Sequence, residues 1–190
     1  MASSSTYQSI RDDFDREALK KDGMFSKNLT ECDRKSIEYL KRLIKPTYKV
    51  LEIGCGMGNV IEKLNCERHG IDISPNMIAK CENVYKMVGD MDNLPYEDDQ
   101  FDLVYMIMTL QQSLNRDKTL SEMKRVTKKR GLMVIIDGDR NSIVGKSRQK
   151  SIKQGEWKMC GKAEWLSKDD FPAWKAEHLA PHILVLSKTK

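Results

Sequence analysis

The sequence predicts an α/β fold, a mostly parallel sheet with helices on both faces, from three observations. From Lys49 onward, short β-branched apolar runs alternate with segments of helical spacing, and parallel neighbours require such crossovers. One run, "FDLVYMIMTL", is apolar at successive positions, as a strand buried on both faces should be. A glycine-rich turn, "GCGMG", follows the first run, at the strand end beyond which sheets of this kind bind ligands.

Two helical stretches precede the sheet. In "STYQSIRDDFDREALKKD", Tyr7, Ile10, Phe14 and Ala18 share one face, and the helix either packs as a terminal element or covers the ligand site as a lid. Ile37, Leu40, Lys41 and Ile44 predict a second helix running up to Pro46. "KVLEIG" is the first strand, "GNVIEKLNC" has helical spacing and "RHGIDIS" is the second strand. "SPNMIAKCEN" reads as a helix with Ser74 as N-cap and Pro75 at the first helical position, where its missing N–H costs nothing. "VYKMVGD" and "FDLVYMIMTL" are strands three and four. "NRDKTLSEMKRVTKKRG" follows as a helix, with Leu120, Met123 and Val126 inward and Gly131 as its stop, before a fifth strand in "LMVIID".

The tail is harder to place. "GDRNSIVGKSRQKSIKQGEWKMCGKAEW" reads as a long basic excursion. "SKDDFPAWKAEHL" reads as a helix, with Ser167 and Asp170 at capping-box spacing. "HILVLSKTK" closes the chain as a strand. Either the excursion supplies one further strand before it or the sheet is one strand short. A length of 190 residues fits a single domain: helices over 1–45, a core over 46–139, and the excursion, helix and closing strand over 140–190.

Composition excludes several classes. No apolar stretch approaches the roughly 20 residues of a membrane span, and the first residues lack the apolar centre of a secretory signal, so a cytoplasmic location is expected. Cys32, Cys55, Cys66, Cys81 and Cys160 form no C-x-x-C pair and are expected to be reduced thiols rather than zinc ligands or disulfides. The net charge of +5 is uneven: residues 140–190 carry +6 and residues 1–139 carry −1. An anionic partner would therefore meet the C-terminal quarter, although basic surface is most often plain solubilising charge.

The glycine spacing is informative. A turn between strand and helix that lacks side chains lets a ligand approach the backbone and its N–H groups. The dinucleotide fingerprint is G-x-G-x-x-G, whereas Gly54, Gly56 and Gly58 are spaced G-x-G-x-G with Asn59 at the third position of the fingerprint. No Gly-Lys-Ser/Thr marks a P-loop. Glu52, two residues before Gly54, would repel a phosphate but could hold an ammonium group. Asp72 ends the second strand, where an acid can accept from ribose hydroxyls. Asp90 follows Gly89 at the end of the third strand, placed to accept from an exocyclic amine. Each acid alone is an ordinary strand-end residue or helix cap; three at successive strand ends point to a close-packed, partly cationic ligand without a pyrophosphate.

On "VLEIGCGMG", "GIDISPNMI", "GDMDNLPYEDDQFDLVYM" and "RVTKKRGLMVIID", spanning Val50 to Asp137, the chain resembles the class I S-adenosylmethionine-dependent methyltransferases, and within them the ubiquinone/menaquinone C-methyltransferase-like group. The resemblance implies a Rossmann-like, doubly wound sheet of six or seven strands, the last antiparallel. It implies S-adenosylmethionine as cofactor and S-adenosylhomocysteine as product. Gly54, Cys55 and Gly56 would line the methionine portion, with Gly58 completing the turn and Glu52 near the amino group. Asp72 would hold the ribose hydroxyls, Ile73 would pack on the adenine, Asp90 and the Met91 backbone would meet the adenine edge, and Met106 would border the sulfonium.

Methyl transfer from a sulfonium is an in-line displacement that needs alignment and exclusion of water; a general base is required only when the acceptor must lose a proton. Where many relatives carry a histidine pair, this chain has Gln111 and Gln112, which cannot act as bases near neutral pH. His69, His178 and His182 are expected to be structural or exposed, and no spacing indicates a metal site. The turn that relatives use to methylate base amino groups, Asn/Asp-Pro-Pro-aromatic, is replaced by "MIMT", which disfavours that acceptor. The apolar Met106, Ile107, Met108 and Leu110 suit a small acceptor, or are simply strand core. Two alternatives remain open: a cofactor-binding regulatory or partner subunit with little turnover, and a nucleic-acid methyltransferase whose basic excursion contacts phosphates, a reading that lacks interleaved aromatics apart from Trp157 and Trp165. Oligomeric state has no sequence signal.

Overall fold

A computed structural model describes residues 4–20, 26–154 and 164–190; Trp157 and Cys160 lie outside the described residues. Helices α1 (Ser4–Leu19) and α2 (Glu31–Leu43) precede β1 (Lys49–Ile53), β2 (Glu67–Asp72), α3 (Pro75–Ala79), β3 (Tyr85–Val88) and β4 (Phe101–Ile107). Then come α4 (Arg116–Val126), β5 (Thr127–Gly138), α5 (Ile143–Lys153), β6 (Lys175–Ala180) and β7 (Ile183–Thr189). The sheet has seven strands in the order β3-β2-β1-β4-β5-β7-β6. Strands β1 to β5 run parallel, and β7 is antiparallel to both β5 and β6. This is the Rossmann-like, doubly wound sheet expected from the sequence. Among the described residues, no helix is long and apolar enough to cross a membrane.

Alternation along the strands feeds two cores, because successive strand side chains point to opposite faces. Val50, Leu103, Tyr105, Val134 and Ile136 pack with Ile37 and Leu40 of α2 on one face. Leu51, Ile53, Val104, Met106, Met133 and Ile135 pack with Met123 and Val126 of α4 on the other. Every side chain of β4 from Leu103 to Met106 is fully buried, and full burial of a large apolar side chain contributes about 1.5–3 kcal/mol. The buried run therefore fixes β4 at the middle of the sheet.

Side-chain caps start two of the helices, the second of them, at Ser74, as expected. The Thr30 hydroxyl oxygen accepts from the Asp33 N–H at 3.1 Å while the Asp33 carboxylate accepts from the Thr30 N–H at 2.8 Å, a capping box that starts α2. The Ser74 hydroxyl oxygen accepts from the Met77 N–H at 3.1 Å, and Pro75 opens α3.

Three elements differ from expectation. The segment "GNVIEKLNC" forms only a 3₁₀ turn, Ile61–Lys63. Because Glu67 pairs beside Lys49, the chain must return along the whole of β1, a span of roughly 17 Å for five strand residues. An α-helix over Gly58–Cys66 would cover about 13 Å, so part of the link has to be more extended. Helix α4 stops at Val126 rather than Gly131: Thr127 is already extended, and its hydroxyl donates to the Met123 carbonyl at 2.6 Å. The residues Thr127–Gly131 open β5 instead, with Arg130 at φ 65° and a register shift opposite Phe101–Leu103.

The third difference supplies the missing strand. Ser167 and Asp170 do form a capping box, but it starts a single 3₁₀ turn, Lys168–Asp170. Pro172 disfavours helical backbone at Phe171 and lacks the N–H a continuing helix needs; Phe171 sits at φ −133°, ψ 59°. The residues expected to continue that helix form β6, which pairs with β7 across the tight turn at Pro181 and His182. The strand comes neither from the excursion nor from a shortened sheet, and the count is seven.

Candidate functional site

A cavity of about 470 Å³ opens at the carboxyl ends of β1, β2, β3 and β4, large enough for a nucleoside-sized ligand. The loop after β1 forms its base. The Gly54 and Cys55 N–H groups both donate to the Ile71 carbonyl, at 2.7 and 3.1 Å, and Gly56 N–H donates to Asp72 Oδ2 at 2.8 Å. Gly54 has φ 74° and Gly56 φ 52°, conformations that glycine adopts without strain. A Cβ on Gly54 would land inside the Thr109 side chain, whereas a Cβ on Gly56 would meet nothing within 4 Å. Gly56 therefore leaves a bare stretch of backbone facing open space in the cavity. Gly58 does not line it; its bare face rests against Cys81 and Glu62 instead.

Three acids lie around this loop. Asp72 accepts from Gly56 N–H with one oxygen and from Ser74 N–H, at 2.9 Å, with the other. Burial pushes its carboxyl above the usual range while these backbone donors pull it back. Glu52 is 4% exposed and accepts from the Tyr105 hydroxyl at 3.0 Å; burial pushes its carboxyl well up, with the Tyr105 bond opposing. A cation brought beside Glu52 would restore its charged form. Asp90 accepts from Asp92 N–H at 2.9 Å. Ile73 and Met91 line the cavity beside these acids, and so does Cys55.

Two sequence expectations are displaced, Gly58, which rests against Cys81 and Glu62, and Met106. Met106 is fully buried in the core on the α4 face and does not line the cavity; Ile107 and Met108, the next residues, do. The period of two accounts for this, since Met106 shares its face with Val104, and Met108 follows the end of β4 at φ 51°.

Helix α1 crosses the cavity, contributing Tyr7, Ile10 and Phe14. Polar ties hold it, among them the bond from Lys80 Nζ to the Ala18 carbonyl and two made by side chains of the helix. The Tyr7 hydroxyl donates to Asp92 Oδ2, and Asp92 also accepts from the Thr119 hydroxyl of α4. Asp15 accepts from the Ser74 hydroxyl and from Asn76 N–H, the latter at 3.2 Å. The apolar stripe of α1 was readable in the sequence, but Asp92 and Asp15 carried no local signal because their partners lie far away in the chain.

The far wall contains Gln111, Gln112, Arg148 and Trp165. Arg148 Nη1 donates to Gln111 Oε1 at 2.9 Å, and the guanidinium lies 4.8 Å from the Trp165 ring centre. The histidines stand elsewhere. His69 lies within β2, bonded to Glu67 at 2.9 Å and stacked on Tyr85. His178 on β6 pairs with Asp139 at 2.9 Å, and the His182 carbonyl accepts from Asp139 N–H. None of the three lines the cavity, and no three His, Cys, Asp or Glu among the described residues cluster as a metal site would.

A glycine loop at the end of β1, with acids at the ends of β2 and β3, is an arrangement met in α/β proteins that bind nucleosides. Comparison with known proteins agrees. A family profile described as a methyltransferase domain matches residues 51–135. An uncharacterised protein of Methanocaldococcus jannaschii is 35% identical over 147 residues, 76% of this chain and 70% of that one. The demethylmenaquinone methyltransferase of Thermotoga maritima is 32% identical over 136 residues, covering 65% of this chain and 59% of that enzyme. A solved S-adenosylmethionine-dependent methyltransferase structure from Thermotoga maritima superposes with a TM-score of 0.71 at 19% identity, covering 98% of this chain and 99% of that one. The chain belongs to the class I S-adenosylmethionine-dependent methyltransferases, in the ubiquinone/menaquinone C-methyltransferase-like group.

Proposed function

We propose that this protein transfers a methyl group from S-adenosylmethionine to a small-molecule acceptor. The observation that carries the proposal is the Gly56 cradle, bare backbone facing open cavity with Asp72 bonded to its N–H. The backbone of Gly54, Cys55 and Gly56 and the buried Glu52 would hold the amino-acid end of the cofactor. Asp72 would accept from the ribose hydroxyls, and Ile73, Asp90 and Met91 would seat the base. The bound sulfonium supplies an already activated methyl carbon. What the chain must add is orientation and exclusion of water, and Ile107, Met108 and the apolar residues of α1 line the cavity in a way that suits both tasks. No base is assigned: Gln111 has its amide committed to the Met108 carbonyl and to Arg148. The test is calorimetric titration with S-adenosylmethionine followed by measurement of S-adenosylhomocysteine release with a panel of small acceptors. Saturable binding and acceptor-dependent release are expected; absence of binding, or preference for a dinucleotide, would contradict the proposal.

Helix α1 would act as the lid. Removing the Tyr7 and Asp15 side-chain ties in Tyr7→Phe with Asp15→Ala is expected to raise the cofactor dissociation rate several-fold in stopped-flow measurements while the far-ultraviolet circular dichroism stays unchanged. An unaltered rate would leave α1 as packing alone.

A further inference from the structure

Helix α5 has two unlike sides. Toward the protein, Gly145 is buried, with no room for a Cβ beside the Asp139 carbonyl and the Arg140 backbone, and Arg148 lines the cavity wall. On the opposite side Ile143, Lys146, Lys150 and Lys153, spaced by threes and fours, share one face and are all exposed. Ile143 is 89% exposed and Val144, next to it, 49%. Two aliphatic side chains thus stand in water at the first turn, and a row of ammonium groups continues behind them along a helix about 15 Å long.

Nothing on the helix offsets that charge. Helix α5 contains no acid, and among the described residues Lys146, Lys150 and Lys153 form no ion pair. The acids that flank its start are engaged: Asp139 pairs with His178, Asp170 pairs with Arg140 and accepts from Ser167 N–H, and Asp137 is fully buried. Glu164 lies beside the start of α4, where its carbonyl accepts from Arg116. Basic surface alone serves solubility, so the exposed aliphatic pair decides what the face fits. An anionic bilayer meets both kinds of side chain, headgroup phosphates for the lysines and the edge of the acyl region for Ile143 and Val144. Nucleic acid would use the lysines and leave the aliphatics in water, and α5 has no aromatic side chain on which a base could stack.

We propose that the outward face of α5 docks the protein on an anionic lipid surface, with Lys146, Lys150 and Lys153 against the headgroups and Ile143 and Val144 entering the boundary of the acyl region. Docked in this way, the cavity wall on the other side of α5 stands about one helix diameter, roughly 10 Å, from the lipid. The proposal goes beyond the methyltransferase function, and its test needs no cofactor. Full-length protein is sedimented with phosphatidylcholine vesicles, with and without phosphatidylglycerol as roughly a third of the lipid, and its binding to duplex DNA and single-stranded RNA is titrated in the same buffer. Partition onto the anionic vesicles should exceed that onto the neutral ones at least tenfold and fall as salt is raised. Lys146→Gln with Lys150→Gln and Lys153→Gln should bring it down to the neutral level, and Ile143→Ser with Val144→Ser should weaken it several-fold, with circular dichroism unchanged in both variants. Equal partition onto the two kinds of vesicle overturns the proposal on the unaltered protein alone, whatever the variants do. So would anionic binding that survives the three lysine substitutions or ignores the loss of Ile143 and Val144. Tighter binding to either nucleic acid than to the anionic vesicles would assign the face to that partner instead and equally defeat the proposal.

Discussion

Asp72→Ala is expected to lower affinity for S-adenosylmethionine by about 100-fold or more. The side chain has two roles in one place: it receives the Gly56 and Ser74 N–H groups, shaping the loop and the start of α3, and it lines the cavity where ribose hydroxyls would lie. Hydrogen bonds to a charged group contribute about 1.5–3 kcal/mol each, so losing two ligand bonds amounts to roughly 3 kcal/mol or more, and each 1.4 kcal/mol is about tenfold in affinity. Truncation also strands two backbone donors. Asp72→Asn separates these effects, since its amide oxygen can still accept while the charge is lost, and it should bind with an intermediate affinity. Calorimetry gives the affinities, and thermal unfolding without ligand reports the cost to the fold. Unchanged affinity in Asp72→Ala would remove the ribose role.

Gly56→Val should abolish cofactor binding for a different reason, by filling space. The apo fold has room for the added carbons, because a Cβ there meets nothing within 4 Å. The backbone at φ 52° is left-handed, which costs an L residue about 1–2 kcal/mol and a β-branched one more. The variant is therefore expected to fold with reduced stability and to show no saturable titration, while Gly56→Ala loses binding to a lesser degree. Gly54→Ala provides the contrast: its Cβ would collide with Thr109, so the damage should appear mainly as a lower unfolding temperature. If Gly56→Val bound S-adenosylmethionine as the unaltered protein does, the cradle would not be the binding surface.

The parts of the fold legible in the sequence are those set by local pattern. Strands β1, β4 and β5 are apolar runs whose alternate residues feed the two cores. The Ser74 cap is a side-chain-to-backbone bond within three residues. The glycine loop and Asp72 were readable because positive φ and a strand-end acid leave a residue-type signature. Where a local signal competed with a longer-range demand, the pattern misled. The capping box at Ser167 is real, yet Pro172 limits the helix to one turn and pairing with β7 claims the following residues. The helical spacing after Gly58 yields to the distance back to the start of β2. Met106 and Ile107 are both apolar, and the strand's alternation turns only Ile107 to the cavity, while Met108 lies past the strand's end at φ 51°. Asp92, Asp15 and Arg148 were invisible because their partners, Tyr7, Ser74 and Gln111, are distant in sequence.

The most direct test is a crystal structure of the protein with S-adenosylhomocysteine. The expected result has the ligand's ribose on Asp72, its base edge at Asp90 and Met91, its amino-acid end against Gly54–Gly56, and its sulfur turned toward Ile107, Met108 and the Arg148 wall. A ligand seated elsewhere, or a glycine loop closed by protein side chains so that none can enter, would contradict it.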